Sequence, residues 1–310
     1  MSIAGLAVYR GRNGGQNRVH ASRGKPPGSG PGTPSPTDGS LLASLQHNRV
    51  TAPGSTPSHW MILLHGIFGA GRNWNRVARD LVTALPEWGV IPVDLRAHGR
   101  SETGTPPHTL SACVDDLMGL ISELGLPIEA VLGHSFGGKV ALLLGDRPEA
   151  GIERVFVIDS TPDARPPSGS AWAMLKVLRD SPGPFAERSD GIAAVESHGY
   201  ANPVARWMAT NLVSDDDGAL IWRLDPDVME ALLMDFFETD AWPVIEAAVG
   251  PEIHMVRASE SSLLTPEAIE RIESAGLIAD RVWLHHVEGG HWLNADNPEA
   301  LNRLLVDSLS

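Results

Sequence analysis

A serine stands between two glycines at the point where the chain changes from a strand pattern to a helix pattern. Residues 133 to 138 read Gly-His-Ser-Phe-Gly-Gly, after the apolar run 128–132 and before the helix-forming run 139–145. In such a Gly-x-Ser-x-Gly turn the serine takes a strained backbone conformation that exposes its hydroxyl, and the glycines let strand and helix approach closely. The motif alone is common, so its position between strand and helix carries the prediction. Ser135 is the candidate nucleophile.

A serine hydroxyl reacts at neutral pH only when a base takes its proton and a third group orients that base. The chain has 12 histidines, and His291 differs from the others because it ends a Gly-Gly-His loop. The loop follows the strand-like run 281–287 and precedes the helical run 295–309. A loop in this position can bring an imidazole over the edge of a sheet. His291 is therefore the candidate base.

The other histidines near these motifs have simpler interpretations. His134 precedes the candidate nucleophile, and we expect it to pack beside the turn. His285 and His286 are neighbours in a strand and point to opposite faces, which favours structural roles over a metal site shared with His291. The sequence contains no His-Glu-x-x-His motif and only one cysteine, so neither common zinc pattern is present. We expect no metal and no cofactor.

Two strand ends could supply the carboxylate that orients the base. Asp159 closes the apolar run 154–158, which has the pattern of the next buried strand after the helix of the candidate nucleophile. Glu260 follows the later strand-like run 251–257, but its side chain is longer and its position is offset. We favour Asp159 and keep Glu260 as the alternative. The structural interpretation of Asp159 is a turn aspartate ahead of Ser160.

Backbone N–H groups near the start of a helix can stabilise an oxyanion without reorganising. The segment His-Gly-Ile-Phe-Gly, residues 65 to 69, follows a buried strand pattern and leads into a helical run. The N–H of Ile67 could act together with the N–H of Phe136, which follows the candidate nucleophile. A second turn, Asp-Leu-Arg-Ala-His-Gly-Arg-Ser at residues 94 to 101, is interpreted as loop scaffolding.

These segments and the Gly-Gly-His loop stand in an order and spacing that resembles the α/β-hydrolase family over about residues 44 to 310. In this family the nucleophile precedes the acid and the acid precedes the histidine, and Ser135, Asp159 and His291 keep that order. The resemblance implies an α/β-hydrolase fold, with a mostly parallel sheet and helices on both faces. It also implies a cofactor-free hydrolase. A serine nucleophile argues against the dehalogenase and epoxide-hydrolase relatives, which use aspartate there.

The position of the acid departs from the commoner family pattern. Most members carry their acid after the later strand, at the place where this chain has Ser262. The sequence is more similar to a smaller branch of bacterial serine esterases and acyl-thioesterases. That branch begins with His-Gly-(aliphatic)-Phe-Gly and has its acid one strand earlier, at the position of Asp159.

Six strand patterns alternate with helical runs, as a parallel sheet covered on both faces requires. They are residues 60–64, 88–94, 128–133, 154–158, 252–257 and 281–287. Pro92 is an irregularity in the second of them, because proline cannot donate to the hydrogen-bond ladder of a sheet. A chain of 310 residues with 42% apolar content can bury a large single core.

The alternation lapses between residues 160 and 241, directly after the candidate acid. Aromatic and methionine side chains are scattered there through short helical patterns: Trp172, Trp207, Trp222, Met208, Met229, Met234, Phe236 and Phe237. We expect a helical lid at residues 161–241, inserted into a core formed by residues 44–160 and 242–310. Such side chains could line an apolar acyl pocket, although packing within the lid is the commoner role for any one of them.

The first 43 residues differ in composition from the rest. They are rich in Gly, Pro, Ser and Arg and contain no acidic residue before Asp38. We expect a flexible tail, and we favour this over a transit peptide because several glycines interrupt any amphipathic helix. No run is long enough to cross a membrane and no secretory signal is present. These features predict a cytoplasmic protein.

The net charge of −14 disfavours nucleic acid and anionic membranes as partners. Cys113, the single cysteine, lies in a helical pattern and is expected to be a buried, inert thiol. The sequence leaves the oligomeric state open.

We therefore expect a serine carboxylesterase for small to medium acyl esters. Within the same class the alternatives are an acyl-thioesterase, a lactonase, a carbon–carbon bond hydrolase and a cofactor-free perhydrolase. The alternative of another class is a non-catalytic ligand receptor on the same fold.

Overall fold

The strand patterns form a parallel sheet in a computed structural model that describes residues 42–310. The expected tail, residues 1–43, lies outside the described residues except for its last two. Eight strands occur in the described chain: β1 (His59–Leu64), β2 (Trp88–Val93), β3 (Ile128–His134), β4 (Arg154–Ile158), β5 (Leu212–Ser214), β6 (Leu220–Trp222), β7 (Glu252–Ala258) and β8 (Val282–Val287).

Six of these strands form the main sheet in the order β2-β1-β3-β4-β7-β8, and all neighbours are parallel. The expected α/β fold with a mostly parallel sheet is therefore confirmed. Each of the six predicted strand patterns falls on one of these strands, with bounds that agree to within one residue. In a parallel sheet the carboxyl ends of the strands meet at one edge, and ligands bind there. This edge carries the loops that follow β1, β3, β4 and β8.

Pro92 lies in β2, which is an edge strand of the sheet. The N–H of Val90 points outward, to the carbonyl oxygen of Val50 at 2.9 Å. N–H groups two residues apart in a strand point the same way, so the position without an N–H at Pro92 also faces outward. The proline therefore removes no hydrogen bond between β2 and β1, and the irregularity is accommodated.

Eleven α-helices occur in the described chain. They are α1 (Asn75–Ala84), α2 (Leu110–Leu124), α3 (Phe136–Gly145), α4 (Gly169–Asp180), α5 (Arg188–Ser197), α6 (Asn202–Met208), α7 (Pro226–Glu238), α8 (Trp242–Glu246), α9 (Pro266–Ala279), α10 (Leu293–Asp296) and α11 (Pro298–Leu309). Local signals explain several of their ends. The side chain of Thr109 accepts a hydrogen bond from the N–H of Ala112 at the start of α2, and Gly125 ends that helix in a left-handed conformation.

Helices cover both faces of the sheet. Apolar residues of α1 and α11 pack on one face, and those of α2, α3 and α9 pack on the other. Side chains alternate along each strand, so Met61 and Leu63 of β1 join the first layer while Ile62 and Leu64 join the second. All four are fully buried. This burial on both faces explains why the strands are nearly continuous apolar runs.

The segment between β4 and β7 contains α4 to α8 and a short antiparallel ribbon of β5 and β6. We call residues 160–251 the insertion. The helices were expected in this region, but the ribbon was not, because three residues per strand are too few to produce an alternating pattern. The bounds of the expected lid, residues 161–241, stay a prediction. α8 follows that range and lies within the insertion.

Lys139 joins the insertion to the helix that follows Ser135. Its side chain is fully buried in α3, and the ammonium group donates to the carbonyl oxygens of Asp163, Phe236 and Thr239 at 2.9, 2.7 and 2.9 Å. The ammonium also lies 4.4 Å from the centre of the Phe236 ring. Burial lowers the pKa of Lys139 to about 8. No signal in the sequence pointed to this cluster, because its acceptors are backbone groups.

Within residues 42–310, none of the helices combines the length and the apolar composition that a membrane span needs.

Candidate active site

Ser135 lies in the sharp turn between β3 and α3. Its backbone has φ 52° and ψ −115°, a conformation that side-chain-bearing residues rarely adopt. The turn is tight enough that a Cβ on Gly133 would come 1.9 Å from the carbonyl oxygen of Gly137, so only glycine fits at the first position. The N–H of Ser135 donates to the carbonyl oxygen of Ile158 at 3.0 Å. This hydrogen bond and the tight turn hold the serine at the carboxyl edge of the sheet.

Asp159 directly follows β4 and is fully buried. One carboxylate oxygen, Oδ2, lies 2.7 Å from Nδ1 of His291, and the other, Oδ1, accepts the N–H of Ala258 at 3.2 Å. The N–H of Asp159 itself donates to the carbonyl oxygen of Val256 at 2.8 Å. The end of β7 therefore orients the carboxylate, and the carboxylate orients the imidazole across 132 positions of sequence.

Glu260, the alternative acid, has a different environment. The residue is exposed, and its N–H donates to the carbonyl oxygen of Gly289 at 3.0 Å. Among the hydrogen bonds of the described residues, none joins its carboxylate to His291. The same set contains no bond between the Ser135 hydroxyl and the His291 ring. Such bonds are often long in ligand-free enzymes and tighten when substrate is bound.

His134 does more than pack beside the turn. Its side chain is buried, and Nε2 donates to the backbone carbonyl oxygen of His291 at 2.7 Å. The two rings lie 4.5 Å apart between centres. Burial, with a smaller contribution from the charge of His291, holds the pKa of His134 well below its usual range. The sequence-based interpretation therefore missed a hydrogen bond through which a neutral His134 holds the loop that carries His291.

The loop after β1 packs against the turn that holds Ser135. A Cβ on Gly66 would meet Nδ1 of His134 at 2.9 Å and Cβ of Ser135 at 3.4 Å, so this close approach requires glycine. The next residue is Ile67, one of the two expected oxyanion donors. The other, Phe136, is the first residue of α3, and the first N–H groups of a helix have no acceptor within the helix. Ile67 lines the same cavity as Ser135.

Residues 94 to 101 support the loop after β1. Oδ1 of Asp94 accepts the N–H of Gly71 at 2.6 Å, and Oδ2 accepts the N–H of Arg100 at 2.8 Å. Nε2 of His98 accepts the N–H of Phe68 at 3.1 Å. The scaffolding interpretation fits these contacts. The sequence did not indicate the hydrogen bond of His98, which directly contacts the loop that contains Ile67.

A cavity of about 340 Å³ opens at this edge of the sheet, within the usual size range of small-molecule sites. Ser135, His134 and His291 line it from the core. The insertion contributes Ser170, Ala171, Met174, Tyr200, Pro203, Val204 and Trp207. Trp207 lies 5.9 Å from Trp292, between ring centres, so an aromatic pair joins the insertion to the residue after His291.

The cavity has few charges. No lysine or arginine is among the described residues that line it, and Asp296 is the one carboxylate. Burial lowers the pKa of His65 to about 4, so this lining histidine is uncharged at neutral pH. Arg72 stands nearby, but its guanidinium donates to the carbonyl oxygen of Thr210 at 3.1 Å. The cavity therefore suits an uncharged ligand.

The aromatic and methionine residues of the insertion divide between cavity and core. Of the eight that the sequence singled out, Trp207 lines the cavity. Five others are buried in the hydrophobic core: Met208, Trp222, Met229, Phe236 and Phe237. Met174 and Tyr200 line the cavity and were not among the eight. The sequence did not indicate which of these residues line the cavity and which are buried in the core. That depends on which face of each helix is turned toward the core.

His285 of β8 lies in a separate contact. Nε2 of His285 is 3.0 Å from Nδ1 of His254, whose ring stacks on Phe156 at 4.6 Å and on Trp283 at 4.8 Å between centres. Burial lowers the pKa of His254 to about 4. Over residues 42–310, no three His, Cys, Asp or Glu side chains form a group that could hold a metal ion.

The known proteins with similar sequences include a lipase and a putative carbamate hydrolase. The chain is 27% identical to the sn-1-specific diacylglycerol lipase ABHD11 of Mus musculus, over 82% of this chain and 81% of the relative. It is 29% identical to the putative carbamate hydrolase RutD of Caulobacter sp. (strain K31), over 81% of this chain and 90% of the relative. The solved structure of a marine microorganism esterase matches with a TM-score of 0.72 at 19% identity, over 85% of this chain and 98% of that chain, and shows the same fold.

A family model described as the alpha/beta hydrolase family matches residues 61–304. This range contains the turn with Ser135, the strand end with Asp159 and the loop with His291. Because the match covers most of the chain, and the sheet order and cavity agree with it, the protein belongs to the alpha/beta hydrolase family.

Proposed function

We propose that this hydrolase is a serine carboxylesterase in which Ser135, His291 and Asp159 form the catalytic triad. One observation carries the proposal: the buried Asp159 carboxylate is 2.7 Å from the His291 ring, and that ring lines the same cavity as Ser135. A buried carboxylate on Nδ1 leaves Nε2 as the proton acceptor. The strained backbone of Ser135 is the conformation that such a nucleophile requires.

In the proposed reaction, the Ser135 oxygen attacks the carbonyl carbon of the ester while Nε2 of His291 takes the serine proton. Asp159 stabilises the imidazolium that forms and does not itself take the proton. His291 then donates the proton to the leaving alcohol, which departs and leaves an acyl group on Ser135. Water attacks the acyl-enzyme while His291 takes a proton from this water, and His291 then returns this proton to the Ser135 oxygen as the carboxylic acid is released.

Negative charge develops on the carbonyl oxygen during each attack. The N–H groups of Ile67 and Phe136 are the proposed donors to this oxyanion. Gly66 supports this assignment, since a Cβ at this position would lie 3.4 Å from Cβ of Ser135, which places the residue before Ile67 next to the proposed nucleophile. His134 is proposed to keep His291 in place through its backbone carbonyl.

The proposed substrates are uncharged esters with small to medium acyl groups. The cavity is near the lower end of the usual size range for ligand sites, and its described lining has no cation that would pair with a substrate carboxylate. The mouse relative is named a diacylglycerol lipase, so glycerides belong among the test substrates. Two long acyl chains exceed what a cavity of about 340 Å³ encloses.

Thioesters, lactones, carbon–carbon bonds and peracid formation are the alternatives within the same chemistry. They share the acyl-transfer machinery and differ in the leaving group or the acceptor. A non-catalytic receptor is the alternative of another class. It is disfavoured because a receptor has no need for a strained serine beside a histidine oriented by a buried carboxylate.

The experiment is hydrolysis of p-nitrophenyl esters from acetate to decanoate by the wild type and by Ser135→Ala. We expect activity that vanishes in the variant, with an optimum at short to medium chains. Labelling with a fluorophosphonate should occur in the wild type alone. Labelling without ester hydrolysis would direct the search to thioesters and lactones, and absence of both would favour the receptor.

A further inference from the structure

Phe68, in the loop after β1, has a backbone conformation that large side chains avoid. Its φ is +62°, in the left-handed region that favours glycine. The residue is buried and directly follows Ile67, a proposed oxyanion donor. A strained residue persists only where its surroundings hold it. The position of the Ile67 N–H therefore depends on what holds the peptide groups of Phe68.

Two side chains hold Phe68, one on each peptide group. Nε2 of His98 accepts the Phe68 N–H at 3.1 Å. Nδ1 of His98 is 2.8 Å from the carbonyl oxygen of Arg96, which can only accept, so Nδ1 carries the proton and Nε2 is free to accept. Burial lowers the pKa of His98 to about 3, which keeps this neutral form. Nδ2 of Asn211 donates to the Phe68 carbonyl oxygen at 2.9 Å.

These two contacts come from different parts of the molecule. His98 belongs to the core loop after β2, whereas Asn211 belongs to the insertion and is 143 positions from Phe68. Asn211 is 2% exposed. It is therefore a buried donor from the segment that also lines the cavity, and it acts on the loop of the proposed oxyanion hole.

The backbone around Asn211 is itself held firmly. The guanidinium of Arg188 donates to the carbonyl oxygens of Ala209 and Leu212, which flank Asn211 closely. The Asn211 carbonyl oxygen accepts the N–H of Arg223 at 3.0 Å. The amide of Asn211 thus extends from a braced turn, and its direction follows the position of the insertion.

We propose that Asn211 is a positioning residue that couples the insertion to the oxyanion hole. The inference rests on the proposed ester hydrolysis. Oxyanion donors act within a narrow range of distances, and a misplacement of about 1 Å can cost about 100-fold in rate. With Asn211 in place, the Phe68 peptide keeps its strained conformation and the Ile67 N–H stays aimed at the cavity. When the insertion moves away, the donor loses its alignment.

A residue that positions the oxyanion donor and a residue that only holds the insertion in place should have different effects on kcat and KM. A contact that only holds the insertion in place acts on the walls of the cavity, so its loss raises KM. A contact that aligns an oxyanion donor acts mainly in the transition state, so its loss lowers kcat with little change in KM.

The test compares Asn211→Leu and Asn211→Ala with Asn202→Ala. Leucine has the same number of side-chain heavy atoms as asparagine and the same branching at Cγ, but no donor, so it provides a second test if the alanine variant fails to fold. Asn202 is the matched control, because its exposed amide lies on the same insertion and contacts Glu196 instead of the core. The readouts are kcat and KM for p-nitrophenyl butyrate, the inhibition constant of an arylboronic acid, which mimics the tetrahedral state, and the thermal midpoint.

We expect kcat to fall about 10- to 100-fold in the Asn211 variants, with KM within about threefold of the wild type. Boronic acid binding should weaken by a factor similar to that for kcat. The Asn202→Ala variant should match the wild type in all three constants. A folded Asn211 variant with unchanged kcat, or with only KM raised, would refute the coupling. If the wild type itself neither hydrolyses esters nor labels with a fluorophosphonate, the proposed function fails and this inference fails with it.

Discussion

Replacing Asp159 by asparagine changes one oxygen of the carboxylate to an NH2 group. This change should move the ring proton of His291 from Nδ1 to Nε2. The two oxygens of Asp159 have different partners: Oδ1 accepts the N–H of Ala258 and Oδ2 faces Nδ1 of His291. An asparagine has one oxygen and one NH2 group. Because the Ala258 N–H can only donate and the site is fully buried, the oxygen must take that partner. The NH2 group then faces His291.

An NH2 group can only donate, so Nδ1 of His291 must become the acceptor and the ring proton must move to Nε2. That tautomer cannot take the proton of Ser135. Loss of the correct tautomer in a serine–histidine–aspartate triad costs about 10,000-fold in kcat. We expect a loss of about 1,000- to 10,000-fold here, equivalent to about 4 to 5 kcal/mol in the barrier. KM should stay within about threefold, since the carboxylate does not line the cavity.

The assay is hydrolysis of p-nitrophenyl butyrate by Asp159→Asn, with Glu260→Gln as the matched control. Glu260→Gln makes the same chemical change at the exposed alternative acid and should stay within about threefold of the wild type. Circular dichroism and the thermal midpoint check that both variants are folded. A large loss in Glu260→Gln together with less than a tenfold loss in Asp159→Asn would refute the reasoning and reassign the acid.

Three further predictions concern buried groups. Because burial lowers the pKa of Lys139 from 10.5 to about 8, the unfolded chain binds more protons than the folded protein between these pH values. The free energy of unfolding should therefore rise with pH, by up to about 3 kcal/mol more in the wild type than in Lys139→Met. Denaturant titrations from pH 7 to 11 measure this difference, and the same pH dependence in both proteins would contradict the prediction. The buried side chains of Arg96 and Asp116 are joined by two hydrogen bonds of 2.6 and 3.0 Å. We expect Asp116→Asn to lower the free energy of unfolding by about 3 to 5 kcal/mol because it leaves the Arg96 charge unpaired, and we expect Arg96→Met combined with Asp116→Leu to lower it by less. A larger loss in the double variant would argue against an unpaired charge as the cause. Cys113 is buried and burial raises its pKa, so a thiol reagent should modify it only at the rate of unfolding, and rapid labelling of the folded protein would show access that the structure does not explain.

Much of the fold was readable from local patterns. The strands are buried on both faces, which makes each a continuous apolar run, and the helices between them have apolar residues on one side. The turn with Ser135 could also be predicted from a local pattern, because strand and helix approach closely there and require glycines at fixed positions. A Cβ on Gly133 would lie 1.9 Å from the carbonyl oxygen of Gly137. The ribbon of β5 and β6 was not predicted, since it is too short for a periodic signal.

The site divides in the same way. Sequence order and the nature of the side chains indicated Ser135, His291 and two candidate acids. The contact of 2.7 Å between Asp159 and His291 depends on how β4, β7 and β8 lie side by side. The roles of these residues in catalysis stay predictions.

Sequence patterns do not indicate which backbone carbonyl groups accept hydrogen bonds from side chains, and several contacts of the site use such acceptors. His134 donates to the carbonyl oxygen of His291, Lys139 to three carbonyl oxygens of the insertion, and Asn211 to that of Phe68. Any residue type presents the same carbonyl group, so nothing in the sequence marks these acceptors. The sheet, the strained serine turn and the family could be predicted from the amino-acid sequence, because they depend on local spacing and burial. Which acid contacts the histidine, and which part of the insertion contacts the oxyanion loop, became known from the three-dimensional structure, because each contact joins segments more than 130 residues apart.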